Sequence, residues 1–277
     1  MPYQTLHARM KAVVVKERQR KTTMEDEHLV AMVHTVKQRH PSWGIRRVRA
    51  FIRKQSGMPV GRKRIARIMR THSLLCSRIR KRVHRTTTPR ITATRINQLW
   101  ATDMTLFMLS HGTKVFLMVV MDVFTRRIVG WHANLRCRAV EWLRALDQAL
   151  QTEFPDGVRG HDLTLRMDNG CQPTSRRYQN TLSTCGITGE WVGFNCPEQN
   201  AHVESLIGTL KRDWLWLEEC STFSEAYTLC EKAVQEYNTS HPHSSLGMWS
   251  PYEFTELVIK GLVSVQNNIL KIYTKTA

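Results

Sequence analysis

The stretch that decides the fold spans residues 163–212 and reads LTLRMDNGCQPTSRRYQNTLSTCGITGEWVGFNCPEQNAHVESLIGTLKR. Its first five residues alternate apolar and polar side chains, which predicts a short strand that ends at Asp168. An Asn-Gly dipeptide then turns the chain. The stretch closes on a predicted helix that begins near Asn200 and carries Glu204, and 35 residues separate Asp168 from Glu204.

A third acid, Asp103, lies inside the strand-like run 99–107. A carboxylate within an apolar strand is costly to bury unless a cation or another partner compensates its charge. Carboxylates from two strands and one helix would supply the oxygen ligands that Mg²⁺ accepts. We therefore predict that Asp103, Asp168 and Glu204 are catalytic residues that bind two Mg²⁺ ions, with Mn²⁺ able to substitute, for in-line phosphoryl displacement on nucleic acid.

Four motifs in order resemble one protein family. They are WATDMT around Asp103, MDVFTRRIVGW at 121–131, MDNG at Asp168 and PEQNAHVESLIGTLKR at 197–212. Together they resemble the catalytic domain of the retroviral integrase superfamily, and more closely the second-frame (OrfB-type) transposases of bacterial insertion sequences. A later stretch, YNTSHPHSSLGMWSPYEF at 237–254, is similar to the tail that follows the catalytic Glu in those proteins.

The resemblance implies a DDE-type transposase. Its expected activity is metal-dependent cleavage at the ends of an insertion sequence, followed by attack of the new 3′-hydroxyl on target DNA. Two alternatives stay open, a nuclease of the same fold without strand transfer and a DNA-binding regulator that has lost catalysis. Expected partners are double-stranded DNA (element ends and target), a homodimer or larger DNA-bound assembly, and the product of an upstream overlapping frame.

The order of apolar patterns predicts an α/β fold of the ribonuclease-H-like kind. Three antiparallel strands, a helix at 139–151 and a strand that returns by a crossover give a mixed sheet flanked by helices. The predicted strands are 99–108, 114–121, 127–133 and 163–167. Further helices are predicted at 206–217 and 223–237, a hairpin at 263–273, and a flexible loop over the metal site at 193–199.

Charge is distributed unevenly along the chain. Residues 1–100 contain 25 Lys and Arg against 4 Asp and Glu, whereas residues 101–277 contain 16 against 19. A balance of +21 in the first hundred residues, with helical periodicity, favours nucleic acid binding over a merely solvated basic face.

The chain has seven cysteines and no Cys-x-x-Cys pair, which argues against a disulfide framework and for a reducing compartment. A zinc site built from His34, His40, His72 and Cys76 is disfavoured for the same reason. Since no apolar run reaches the ~18 residues of a membrane span, and the N-terminus does not resemble a signal peptide, we expect a cytoplasmic, nucleoid-associated protein without membrane contact.

Five segments are expected from these patterns. They are a basic lead-in at 1–21, a helix-turn-helix-like DNA-binding module at 22–75, a basic linker at 76–97, the catalytic domain at 98–238 and a C-terminal tail at 239–277. The module should contain three short helices, the last of which presents arginines to the major groove.

The DNA-contacting residues are predicted from this basic surface and from the helix after Glu204. They are Arg46, Arg47, Arg62, Lys63, Arg64, Arg67, Arg70, Arg78, Arg80, Lys81, Arg82, Arg85, Lys211 and Arg212. Arg64 and Arg67, one turn apart on the face predicted to point outward, are the candidates for sequence specificity. Asn200 and Asp122 are secondary candidates; Asp122 is more simply interpreted as a turn residue that bonds backbone amides or pairs with Arg126 or Arg127.

Overall fold

The computed structural model describes residues 27–76, 93–192, 200–266 and 269–272. The predicted lead-in, most of the basic linker and the predicted loop at 193–199 lie outside these ranges. The chain divides into two compact units, Met1–Arg80 and Lys81–Ala277.

The described part of the first unit consists of three helices. α1 occupies residues 27–39, α2 Ile45–Ser56 and α3 Arg62–Thr71. α1 ends just before Pro41, which cannot continue a helix, and α2 ends at Gly57, whose φ of 67° is the left-handed conformation that glycine adopts readily. The three predicted helices are thus confirmed.

Their buried residues form one small core, since each helix turns a single apolar stripe inward. The core residues of the three helices and the loop before α2 include Leu29, Val33, Val36, Trp43, Val48, Ile52, Ile65, Ile68 and Met69. Trp43 stacks on His40 with ring centroids 3.8 Å apart, which packs the α1–α2 connection against the core.

The second unit is built on a five-stranded sheet in the order β3-β2-β1-β4-β5. The strands are β1 Leu99–Met108, β2 Lys114–Asp122, β3 Ile128–Asn134, β4 Thr164–Met167 and β5 Thr188–Trp191. β1, β2 and β3 are antiparallel neighbours, whereas β4 runs parallel to β1 and β5 parallel to β4. The predicted crossover and mixed sheet are confirmed.

Helices cover both faces of this sheet. They are α4 Ala139–Glu153, α5 Arg176–Cys185, α6 Ala201–Leu210, α7 Phe223–Ser240 and α8 Pro251–Ile259. One apolar core joins the sheet to α6, α7 and α8, and a second joins it to α4 and α5. This mixed sheet flanked by helices is the predicted ribonuclease-H-like fold.

The structure also differs from the predicted elements. The helix predicted at 206–217 is divided, because α6 ends at Leu210 and a π-helical turn, Lys211–Leu215, follows it. β5, α5 and α8 were not predicted. α5 buries only Tyr178 and Leu182, so its apolar pattern is weak.

The chain closes with the predicted hairpin, formed by β6 Val263–Gln266 and β7 Ile269–Ile272. Among the described residues, no helix is both long enough and apolar enough to cross a membrane.

Candidate active site

Asp103 lies in the middle of β1, the central strand of the sheet. Side chains alternate between the two faces of a strand, so Asp103 is on the same face as Leu99 and Ala101, which belong to the core shared with α6. Its Oδ1 accepts a hydrogen bond of 2.7 Å from the backbone N–H of Met104. β1 therefore holds a half-buried carboxylate toward the helix that carries Glu204.

Asp168 follows the last residue of β4, the parallel neighbour of β1. Its Oδ1 accepts a hydrogen bond of 3.1 Å from the N–H of Gly170, and Asn169 fixes the turn by donating from Nδ2 to the carbonyl of Val192 at 2.6 Å. A Cβ at position 170 would lie 3.0 Å from Asp168 Oδ1, so glycine leaves the carboxylate room.

Glu204 lies in the first turn of α6, whose buried residues Val203, Leu206, Ile207 and Leu210 anchor the helix on the sheet. Glu204 itself is exposed. Its N–H donates to the carbonyl of Asn200, the residue that caps the helix. A carboxylate near a helix N-terminus is also favoured by the helix dipole.

Electrostatics show that these three acids share one neighbourhood. The pKa of Asp103 is raised to about 7, chiefly by burial and in addition by the negative charges of Asp168 and Glu204. The Met104 N–H and the positive charge of Lys211 act in the opposite direction. The fold thus brings together four predicted site residues, three carboxylates and one lysine, from β1, β4 and the α6 region.

A divalent cation fits the chemistry of these donors. Within the described ranges, no three His, Cys, Asp or Glu side chains are arranged closely enough to hold a metal ion together. The three acids are therefore neighbours, but their carboxylates do not converge on one point. The donors are nevertheless all carboxylate oxygens, which hard cations such as Mg²⁺ prefer. Burial and the two neighbouring carboxylates both raise the pKa of Asp103, and a bound cation would oppose this shift.

Asp122 is placed elsewhere. It ends β2 and pairs in register with Trp100, whereas Asp103 pairs with Val119. The two pairs are three residues apart on each strand, which separates Asp122 from Asp103 by roughly 10 Å along the strand direction. Its two oxygens accept hydrogen bonds from the N–H of Asn97 and from both the N–H and the hydroxyl of Thr125, at 2.6–2.8 Å. Burial raises its pKa, and these donors oppose the shift.

The second secondary candidate, Asn200, and two predicted DNA-contacting residues, Lys211 and Arg212, flank the helix of Glu204. Asn200 is buried, and its Oδ1 has no hydrogen-bond donor within the described part of the chain. Lys211 begins the π-helical turn, and its Nζ is 5.7 Å from the centre of the Trp216 ring. Arg212 is exposed but folds back along α6, where its Nη2 donates to Thr209 Oγ1 at 3.4 Å.

Most of the predicted DNA-contacting residues of the first unit point outward. The exposed ones are Arg46, Arg62, Lys63, Arg67 and Arg70. Arg64 and Arg47 are half-buried, and one Arg64 guanidinium nitrogen is fully enclosed. Arg64 is thus less exposed than Arg67, three residues further along α3. Arg78, Arg80, Lys81, Arg82 and Arg85 lie outside the described residues.

One pair near the site was not predicted from the sequence. Asp213 and His241 are both almost fully buried, and the distance between Asp213 Oδ2 and His241 Nδ1 is 3.6 Å. Asp213 belongs to the π-helical turn after α6, and His241 follows α7. The pair therefore connects the HPH motif at 241–243 to the segment that positions Lys211.

Comparisons with known families agree with this geometry. Two consecutive sequence models, both described as integrase core domain, match residues 93–191 and 192–251, and one described as HTH-like domain matches residues 24–83. The chain belongs to the integrase core family. In this chain the match to an HTH-like domain precedes the integrase core, as the sequence predicted.

Among characterised relatives, the chain is similar to transposase InsD for insertion element IS2A/D/F/H/I/K of Escherichia coli. The two are 28% identical over 240 residues, which are 83% of this chain and 79% of the relative. Among solved structures, this integrase core is similar to the HTLV-2 integrase catalytic core domain in complex with magnesium, at 19% identity and a TM-score of 0.45, over 57% of this chain and 95% of that chain. It is also similar to the catalytic core domain of BIV integrase, at 21% identity and a TM-score of 0.42, over 60% and 98%.

Proposed function

We propose that this chain is the DNA transposase of an insertion sequence, which cleaves the element ends and joins the resulting 3′-hydroxyl to target DNA. The observation that carries the proposal is the electrostatic proximity of Asp103, Asp168 and Glu204 within an integrase core. The helix-turn-helix-like domain and the name of the InsD relatives support the same function.

Asp103, Asp168 and Glu204 are the residues that would hold the metal, two Mg²⁺ ions or Mn²⁺ in their place. Bound in this way, divalent ions supply Lewis acidity at the scissile phosphate and lower the pKa of the attacking oxygen. β1 and β4 fix two of the carboxylates on a rigid sheet, while α6 brings the third from the side. Lys211 contributes positive charge beside them, which favours a DNA phosphate at the same place.

The basic first unit would hold the element end through phosphate contacts. Lys63, Arg67 and Arg70 are spaced for one face of α3 and are exposed. Such contacts position the duplex without reading its sequence. We therefore assign α3 to end binding and the carboxylates to cutting. A simple nuclease does not need a module dedicated to end binding, and an inactive regulator does not need the carboxylates.

The test is an assay of the full chain on a labelled duplex that carries the terminal repeat flanking its own gene. With Mg²⁺ or Mn²⁺ we expect a nick at the repeat end and joined products with a second DNA. The matched control is Asp168→Asn, which should bind the end and yield neither product. Nicking without joining under all ionic conditions would contradict the proposal and support a nuclease without strand transfer. Specific binding without nicking would support a DNA-binding regulator that has lost catalysis.

An insertion sequence has two ends, and one carboxylate cluster acts on one phosphate at a time. Cutting both ends together therefore requires at least two copies of this chain in one complex. We propose a DNA-bound dimer or larger assembly that cuts in trans, with the product of an upstream frame as a further component. Mixing Asp168→Asn with a Lys63→Ala, Arg67→Ala, Arg70→Ala variant on paired ends should restore cleavage. Continued inactivity, with mixed oligomers shown to form, would contradict the trans arrangement.

A further inference from the structure

Two indoles two residues apart, Trp214 and Trp216, occupy opposite environments at the end of the π-helical turn. Trp214 is buried, with 4% of its surface exposed, and its Nε1 donates to Glu236 Oε2 at 2.9 Å. Trp216 keeps 64% of its surface exposed. Trp214 accounts for the packing of this segment, so the core gives no reason for an indole at position 216.

The exposed indole lies near Lys211, which directly follows α6, the helix of Glu204. Lys211 Nζ is 5.7 Å from the centre of the Trp216 ring, and the carbonyl of Lys211 accepts a 2.9 Å hydrogen bond from the Trp216 N–H. The ammonium group of Lys211 is also close enough to Asp103 to act on its charge. One lysine thus links the proposed metal ligands to an aromatic surface open to solvent.

We propose that Trp216 stacks on a DNA base that leaves the duplex next to the cleaved phosphate. This inference rests on the proposed function and adds a substrate contact to it. An aromatic side chain that stacks on a base contributes about 1–3 kcal/mol. Bases inside a duplex present their faces only to each other, so the partner of Trp216 is a base unpaired at the element end.

The position of the cation favours a nucleic acid over an apolar protein partner. The Lys211 ammonium adjoins the indole, and a protein interface centre is usually depleted of lysine. A nucleotide offers both groups that this pair can bind, a base for the ring and a phosphate for the ammonium. A second copy of this chain seated on Trp216 is the competing occupant, and the experiment separates the two.

The experiment uses full-length protein and element ends with 2-aminopurine at successive terminal positions. In an Asp168→Asn background, which keeps the DNA uncut, we expect one position whose fluorescence changes on binding with Trp216 present and stays unchanged with Trp216→Ala. Trp216→Phe should retain part of the change because a smaller ring still stacks. The control is Ile259→Ala, which removes an equally exposed apolar side chain, 68% exposed, from α8.

Cleavage supplies the second readout, in a background with Asp168 intact. Trp216→Ala should cleave fully paired ends about tenfold more slowly, which corresponds to about 1.4 kcal/mol. On ends with mismatched terminal pairs the defect should shrink to less than twofold, because the base is already free. The inference would be overturned if Trp216→Ala slowed cleavage equally on paired and mismatched ends. It would also be overturned if Trp216→Ala gave the same fluorescence change on binding as the protein that retains Trp216.

Light scattering measures oligomer size. If Trp216→Ala changes the oligomer size but gives the same fluorescence change on DNA binding as the protein that retains Trp216, the indole belongs to a protein contact instead. Failure of the wild-type chain to cleave any end would count against the proposed function. Normal wild-type cleavage with no effect of Trp216→Ala would count against the stacking inference alone.

Discussion

The turn after β2 and the middle of β1 each bury an aspartate, and the two aspartates have opposite surroundings. Three hydrogen-bond donors from Asn97 and Thr125 surround Asp122. Asp103 has one backbone donor, and its charged neighbours include two further carboxylates. The first arrangement completes a turn with hydrogen bonds from protein groups, whereas the second places a carboxylate with one hydrogen-bond donor beside two other carboxylates. Sequence position already separated them, because Asp103 lies inside its strand whereas Asp122 ends its strand at a turn.

The largest expected difference between the two regions is in catalysis. Replacing Asp103 or Asp168 with Asn, or Glu204 with Gln, should lower end cleavage and strand transfer at least ~1000-fold, about 4 kcal/mol of transition-state stabilisation. End binding at equilibrium should be nearly unchanged, since the basic first unit is intact. Asp122→Asn should keep substantial activity.

Initial rates of cleavage, measured beside a filter-binding or anisotropy titration, check this expectation. Strand transfer retained by any one of the three variants would remove that residue from the proposed metal site. Complete loss of activity in a folded Asp122→Asn protein would instead move Asp122 into the catalytic group.

Asp103 and Asp168 illustrate how far the sequence was sufficient. Regular alternation in β1 and β4 predicted both strands, and the parallel return of β4 beside β1 places their acids next to each other. Spacing and motif resemblance then predicted Glu204 as the third acid, and the structure places its charge in the neighbourhood of Asp103. These features are local patterns or follow from few topological rules, which is why the fold was predictable.

Other features depend on tertiary contacts. The π-helical turn after α6, the half-buried position of Arg64 and the Asp213–His241 pair have no local signal. α8 did have one, since Ser250 caps it, Pro251 occupies its first turn and Glu253 completes a capping box. That helix could have been predicted from the Ser-Pro-x-Glu pattern.

The next effect is on stability, at the turn around Asp122. Asp122→Asn replaces one of two accepting oxygens with an NH₂ group, so either the Asn97 N–H or the Thr125 donors lose their acceptor. A buried donor without an acceptor costs about 1–3 kcal/mol. Burial also raises the pKa of Asp122, so replacing its carboxylate with a neutral amide offsets part of this loss. We expect the free energy of unfolding, measured by urea denaturation, to fall by about 1 kcal/mol.

Asp156→Asn, at an exposed loop position, is the matched control and should leave the free energy of unfolding within about 0.5 kcal/mol of the wild type. If Asp122→Asn is as stable as this control, the three hydrogen bonds do not stabilise the turn. The proposed structural difference between Asp122 and Asp103 would then be contradicted.

At Asp103 the same substitution should have the opposite sign. The folded pKa of about 7 exceeds the ordinary value of 3.8, so the folded state is penalised for ionising this group. The penalty is absent below pH ~4, grows as pH rises toward 7 and is complete above it. Without metal at pH 8, Asp103→Asn should therefore stabilise the protein by about 1–2 kcal/mol, a discounted figure for a half-buried group.

Urea denaturation at pH 4.5 and pH 8 in the presence of a chelator measures this difference, which should be present only at the higher pH. Adding Mg²⁺ at pH 8 should stabilise the wild type and have little effect on Asp103→Asn. Equal stabilities of the two proteins at both pH values would show that the Asp103 charge is already compensated.

The smallest effect is expected at Glu204, which belongs to the same cluster but is exposed. Water screens its charge, and exposed ion interactions are typically worth less than 1 kcal/mol. Glu204→Gln also keeps the side-chain length on α6 and removes one of the charges that raise the pKa of Asp103. We expect the free energy of unfolding at pH 8 to change by less than about 0.5 kcal/mol, while cleavage is lost as fully as in Asp103→Asn.

Denaturation at low and high salt distinguishes the two sites, because salt should erase the small Glu204 effect and leave most of the Asp103 effect. A stabilisation at Glu204 as large as that at Asp103 would mean that repulsion among the carboxylates, rather than burial of Asp103, dominates the cost of assembling the cluster.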